Sequence, residues 1–275
     1  MKHGIQIRYN DSFESAISAA HNAGFKYVSV GFGESDCFHR NNWQEDIAKI
    51  SKILEKNNID CIQTHIPMYS LLISAEESDK ALDLAQLRCM EGSAKLGAEW
   101  VAYHPRTAIN DNCSPKKSFE YEKKAVAPLI EAAEKYGTGL AIENLPVFPF
   151  CSIEHLKFYS CNYEDLIELH DYLNNSHVGI CWDFGHAHLM QWKDEVLPIK
   201  TVGDRIKCTH IHTNYQMRDD HLPPVMCNTD WKPIMDEFKK FYKGALMLEV
   251  TYPNTTPLEG YFRFCKDNLE YLDNL

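Results

Sequence analysis

The 275-residue sequence predicts an α/β fold, a single (β/α)8 TIM barrel domain over residues 1–275. Three observations carry that prediction. Eight short β-rich segments alternate with helix-length amphipathic ones, the pattern of parallel βαβ units. No Pro/Gly/Ser-rich linker divides the chain, and its length and 44% apolar content suit one sizeable core. An acid or a histidine also closes strand after strand at near-constant spacing. His65, His104, Glu143 and Asp183 are 39, 39 and 40 residues apart, and His212 and Glu249 follow after 29 and 37. In a closed barrel the C-terminal strand ends converge on one mouth, where active sites are built.

Residues 4–8 (GIQIR) read as the first strand, and Asp11 or Ser12 caps a helix ending at Gly24. Residues 26–31 (KYVSVG) form the second strand, followed by a helix over 43–57. The third, 61–66 (CIQTHI), is stopped by Pro67 and followed by a helix over 78–96; the fourth, 100–104 (WVAYH), is stopped by Pro105. A helix over 118–136 leads to Gly139–Glu143 (GLAIE), and one over 163–174 leads to Val178–Asp183 (VGICWD). The sixth strand reads as buried on both faces, with a carboxylate at its tip. Residues 205–212 (RIKCTHIH), a helix over 231–242, residues 245–250 (ALMLEV) and a helix from Leu258 onward complete the set.

With 39 acids against 28 bases the net charge is −11, which argues against a nucleic-acid partner gripped through its phosphates. A small anion remains compatible, because local field differs from net charge. No basic stretch followed by an apolar one opens the chain, and no apolar run nears the roughly 20 residues of a membrane span; a cytoplasmic protein without membrane attachment is expected. Ten cysteines without a C-x-x-C pair, several within strands (Cys61, Cys181, Cys208), fit reduced core thiols.

Asp183 followed three residues on by His186 suits a divalent metal, which needs a fixed oxygen and an imidazole that folds back over it. That spacing alone is weak, since a lone loop histidine is commonly a surface or capping residue. Independent strand caps, however, would draw on Ser, Thr and Asn as readily. Six strand ends carrying only His, Asp or Glu point to metal chemistry.

The segments THIP (64–67), YHP (103–105), IENLP (142–146), WDFGHAH (182–188), HIHTN (210–214), DDHLPP (219–224) and LEV (248–250) together resemble the xylose isomerase-like barrel family. That family holds sugar and sugar-phosphate isomerases and epimerases and, as a sister branch, the apurinic-site endonucleases of the three-zinc type. The resemblance implies that Glu143, Asp183, His212 and Glu249 hold a central divalent metal. His210 is the rival ligand, two residues earlier on the same strand face. His212 is favoured as nearer the mouth and because the H-x-N pattern fits His212, Thr213 and Asn214. His186 corresponds to a substrate-touching histidine in the isomerases and a zinc ligand in the nucleases, while His65, His104, Asp219 and His221 match positions that complete the nuclease site. Two departures stand out: Tyr215 replaces a frequent acid, and residues 225–230 (VMCNTD) lack the family's Gly-x-Gly turn and any phosphate cradle it would form.

Charge separates the branches. Glu143, Asp183, Asp219 and Glu249 carry four negative charges, which suit a multinuclear cluster locally, but the acidic remainder does not suit duplex DNA. The leading expectation is therefore a metal-dependent sugar or sugar-phosphate isomerase or epimerase. A multinuclear zinc phosphodiesterase is the alternative, and a non-catalytic metal- or sugar-binding barrel a second one. Mn²⁺, Mg²⁺, Co²⁺ or Zn²⁺ would suit the oxygen-rich site, and no nucleotide cofactor is expected. The metal would stabilise an ene-diolate while Glu143 and Glu249, with His186 next in line, carry the proton. Arg106 and Arg218 are candidates for a substrate phosphate or hydroxyl, against a reading as solvated loop arginines. Trp182 and Phe148, with Phe184 and Phe150, are candidate sugar-pocket walls, against helix-packing core. Residues 144–162 form a candidate lid, His188 reads as structural, and a homo-oligomer stays open.

Overall fold

The computed structural model describes residues 1–70, 79–148, 156–252 and 257–275. Eight parallel strands form one sheet in chain order: β1 Lys2–Arg8, β2 Tyr27–Gly31, β3 Asp60–His65, β4 Trp100–Tyr103, β5 Gly139–Glu143, β6 Val178–Asp183, β7 Ile206–His210 and β8 Ala245–Leu248. β8 pairs with β1 from Lys2 opposite Ala245, and an isolated parallel bridge between Ile211 and Leu248 joins the other edge, so the sheet curls into a nearly closed barrel. The helices α1 Phe13–Asn22, α2 Trp43–Lys56, α3 Lys80–Lys95, α4 Pro115–Ala125, α5 Ala127–Tyr136, α6 Tyr163–Leu173, α7 Phe184–Leu189, α8 Val196–Val202, α9 Trp231–Phe241 and α10 Leu258–Asn274 accompany it. None among the described residues is long and apolar enough to cross a membrane.

The predicted helix over 118–136 is two helices. Pro128 lacks an N–H and its ring crowds the carbonyl four residues back, so the chain breaks between Ala125 and Ala127. Its start moves to Pro115, where Ser114 caps the Lys117 N–H and proline suits the first helical position. α3 starts behind Asp79, whose side chain accepts from the Ala81 and Leu82 N–H groups; the predicted start at Ser78 lies outside the described residues. Between β6 and β7 stand two short helices that the sequence reading did not propose, α7 and α8.

Register places the site. A bulge shifts the pairing between Ile180 and Cys181, so Asp183 stands opposite His210. Without that extra residue Asp183 would face Thr209, and the β7 histidines would point out of the barrel.

Candidate metal centre at the barrel mouth

Glu143 and Asp183 end β5 and β6 with wholly buried side chains. Asn144 fixes these two strand ends to each other: its Nδ2 donates to the Asp183 carbonyl at 2.8 Å and its Oδ1 accepts from the Asp183 N–H at 2.7 Å. Asp183 Oδ1 caps α7 by accepting the His186 N–H at 2.6 Å. The Asp-x-x-His spacing is thus an N-cap as well as a metal-type pair, and Oδ2 is hydrogen-bonded to His212 Nε2 at 3.0 Å. Gly185 is obligatory here, since a Cβ on it would overlap the His212 ring.

Glu143, Asp183, His210 and Glu249 form one group whose candidate ligand atoms all lie within 4.8 Å of one another. His210 Nδ1 stands 3.1 Å from Glu143 Oε1 and 3.0 Å from Glu249 Oε2, the position between two carboxylates for which the sequence favoured His212. His212 instead lies between Asp183 and Asp219, with its Nε2 3.8 Å from Asp219 Oδ1, and stacks on His221 at 4.1 Å. Burial penalises the charges of Glu143, His210 and Glu249. Even so, the His210 and His104 imidazoles hold Glu143 well below the usual carboxylate range, and the Glu143 and Glu249 carboxylates hold His210 well above the usual imidazole range.

Two further groups flank this one. His65, His104 and Glu143 make the first: the two Nε2 atoms are 3.2 Å apart, and they lie 3.5 and 3.3 Å from Glu143 Oε2 without a hydrogen bond to it. His186, His212, Asp219 and His221 make the second, with His186 and His221 Nε2 at 3.2 and 2.8 Å from Asp219 Oδ2.

Three of these rings share one device. His65 Nδ1 donates to the Ile66 carbonyl at 3.0 Å, His186 Nδ1 to the Asn144 carbonyl at 2.8 Å and His221 Nδ1 to the Glu249 carbonyl at 2.9 Å. A carbonyl only accepts, so in each neutral ring Nε2 presents a lone pair to a carboxylate or another imidazole nitrogen. With their rings neutral, these lone pairs and the buried, unpartnered Glu143 Oε2 and Asp219 Oδ1 make a donor set that fits a divalent metal.

A cavity of about 430 Å³ opens over the centre. Its walls include Glu249, Asp219, His65, His104, His186 and His221, while Glu143, Asp183 and His210 lie beneath. Gln6 was not foreseen. It donates through Nε2 to Glu249 Oε1 and accepts from Ser29 Oγ at 3.1 Å, which fixes one Glu249 oxygen; the signal was a polar residue in the middle of the apolar GIQIR strand. Asn144, beside Glu143 in IENLP, was likewise missed.

The remaining candidates lie elsewhere. Trp182 is 1% exposed and outside the cavity lining, because side chains alternate along β6 and Asp183 takes the inward direction. Arg106 is turned away, with its NH2 group 2.7 Å from Asp83 Oδ1 and its guanidinium 3.8 Å from the Tyr69 ring centre. Arg218 is 82% exposed and paired with Asp220. His188 pairs with Glu195 at 2.9 Å. Phe184 packs in a core cluster with Trp231 and Phe238. Val147–Phe148 pairs antiparallel with Leu156–Lys157; the Phe148 side chain, Phe150 and the middle of the candidate lid lie outside the described residues.

Carboxylates and imidazoles gathered around one point at the C-terminal mouth lie where (β/α)8 barrels build their active sites. The profile described as xylose isomerase-like TIM barrel matches residues 17–270, and the chain belongs to that family. It is 30% identical over 174 residues to the uncharacterized protein y4fM of Sinorhizobium fredii, a match over 62% of this chain and half the length of that protein. A D-tagatose 3-epimerase-like protein superposes with a TM-score of 0.76 at 19% identity, over 100% of this chain and 99% of that one. D-psicose 3-epimerase from Clostridium cellulolyticum H10 gives 0.76 at 14% identity over the same shares. At such identities the likeness is one of fold.

Proposed function

We propose that the chain is a divalent-metal-dependent sugar or sugar-phosphate isomerase or epimerase. The observation that carries this reading is the central group of Glu143, Asp183, His210 and Glu249 beneath a cavity of about 430 Å³, a space for a small polyol and not for a duplex. A metal bound there supplies Lewis-acid polarisation of a carbonyl and lowers the cost of charge developing on its oxygen. Glu249 is the carboxylate that both meets the central group and lines the cavity, so it takes the proton from the carbon next to the carbonyl. Gln6 donates to Glu249 Oε1 and so holds the carboxylate in place. Glu143 is screened from the cavity by imidazoles and holds metal; His186, with Nε2 at the cavity wall, meets the opposite face of the substrate.

Incubation with a ketose or ketose phosphate in D₂O tests this. Solvent deuterium is expected on the carbon next to the carbonyl, dependent on added metal and reduced roughly 10²–10⁴-fold in Glu249→Gln. Turnover without solvent label refutes proton abstraction.

One observation favours a second reading. The two flanking groups add ligand sets on either side of the centre, as a multinuclear phosphodiesterase would require. Incision of an abasic duplex, abolished in Glu143→Ala, would establish it.

A further inference from the structure

The cavity is lined by the acids Glu34, Asp219 and Glu249, and among the described residues its lining holds a single Lys or Arg side chain, Arg8 at the end of β1. Arg106 and Arg218 are committed to Asp83 and Asp220. Among the described residues no carboxylate forms an ion pair with Arg8, although Glu34 shares the cavity wall and the whole chain carries −11. Placement makes this cation pertinent to the centre. Gln6, which binds Glu249, and Arg8 are two residues apart on β1 and so share its inward face, Arg8 roughly 7 Å nearer the mouth. In the strand register Arg8 stands beside Gly31 and Gly31 beside His65. Gly31, with no side chain, lines the same cavity between Arg8 and His65 in that register.

From this geometry we infer that Arg8 anchors an oxyanion of the substrate, so the sugar taken at the mouth carries a phosphate or a carboxylate. The inference rests on the isomerase reading for the sugar but not for the anion. A guanidinium that no carboxylate among the described residues pairs offers a planar fork of donors that matches either group, and the carbohydrate's hydroxyl end then lies toward the centre.

Calorimetric titration of the metal-loaded full chain with D-fructose, its 6-phosphate and the corresponding 6-carboxylate tests the inference without reference to turnover. The charged sugars are expected to bind the native chain more tightly than the neutral one. Arg8→Met should weaken the charged sugars roughly 10- to 100-fold and leave the neutral one unchanged, and Arg8→Lys should recover part of the loss. The better of the two charged sugars identifies the anion. Because the metal is common to all titrations, its own affinity for phosphate cancels between native and Arg8→Met protein. Equal affinity for neutral and charged sugars, or an equal loss of all three in Arg8→Met, overturns the inference. Tight Arg8-dependent binding with no deuterium exchange would keep the anion site and remove the isomerase reading; exchange on the neutral sugar alone, indifferent to Arg8, would do the reverse.

Discussion

The two histidine groups beside the central carboxylates are built alike and differ in their protons. In each, imidazole Nδ1 atoms are pinned to backbone carbonyls, by Ile66 in the first and by Asn144 and Glu249 in the second, so that Nε2 faces inward. The first borrows its carboxylate, Glu143, from the centre; the second owns Asp219 and also meets Asp183 through His212. Burial pulls His104 below the usual imidazole range, and Glu143 only partly offsets it. Burial acts the same way on His186 and His221, but Asp183 and Asp219 outweigh it for His186, and Asp219 does so for His221, whose pKa rises to about 9. His104 is thus left without a proton to give, whereas His186 and His221 keep one that a metal must displace.

The largest expected effect removes what the groups have in common. Asp183 serves the centre, the second group and the N-cap of α7, so Asp183→Ala should strip tightly bound metal, measured by elemental analysis of dialysed protein. His188→Ala, whose ring pairs with Glu195, should keep it. Equal metal in the native chain and Asp183→Ala would end the assignment of the centre.

Next come the groups one at a time. Under the isomerase reading about one metal per chain is expected, and it should be retained in both the His65→Ala/His104→Ala double variant and His221→Ala. About three per chain, falling by about one in each variant, would promote the phosphodiesterase. With 39 acids against 28 bases, no salt-sensitive binding of an abasic duplex is expected in a filter or anisotropy assay.

How these groups meet was only partly visible in the sequence. The eight strands, and the acid or histidine at the ends of six of them, could be read from alternation and spacing, because one polar residue at the tip of an apolar run is a local signal. Which β7 histidine joins the centre was not local. It depends on the bulge at Ile180 and Cys181, which decides that Asp183 pairs with His210. The fate of Arg106 was equally hidden, since Asp83, 23 residues away on α3, and Tyr69 claim its guanidinium only once the helix docks. Gln6 and Asn144 act through partners distant in sequence or through backbone atoms, which periodicity does not report.

The proton difference can be read directly. At pH 7 a metal entering the second group must displace a proton from His221, whose folded value is about 9, whereas His104 has none to give. Affinity at the second group should therefore tighten as pH rises toward about 9, where His221 gives up its proton. Calorimetry in buffers of different ionisation enthalpy should find about one proton or more released per metal there in a His65→Ala/His104→Ala background, and less in His221→Ala. Release independent of His221 would erase the contrast between the groups.

The smallest effect concerns what stands behind the first group. Glu122 on α4 is fully buried, accepting from the Arg106 N–H at 2.9 Å and the Tyr103 hydroxyl at 3.1 Å, on both sides of His104. Burial raises its pKa from 4.5 to about 7, against the pull of those donors and of the Arg106 charge. Between these values the folded chain holds a proton that the unfolded chain has released, so stability must fall as pH rises through the window, with the full penalty present above about 7. The shift corresponds to roughly 3 kcal/mol, an upper bound for one buried carboxyl. Gln at this position keeps an acceptor for the Arg106 N–H and meets the Tyr103 hydroxyl with no charge to bury. Urea unfolding of native and Glu122→Gln protein at pH 5 and 7.5, with chelator present, should show the native chain losing roughly 2–3 kcal/mol more than the variant. Contributions from His186, His210 and His221 cancel in that difference, since both proteins carry them. Parallel pH profiles would mean that Glu122 stays ionised and that the backbone on either side of His104 is not sensitive to its proton.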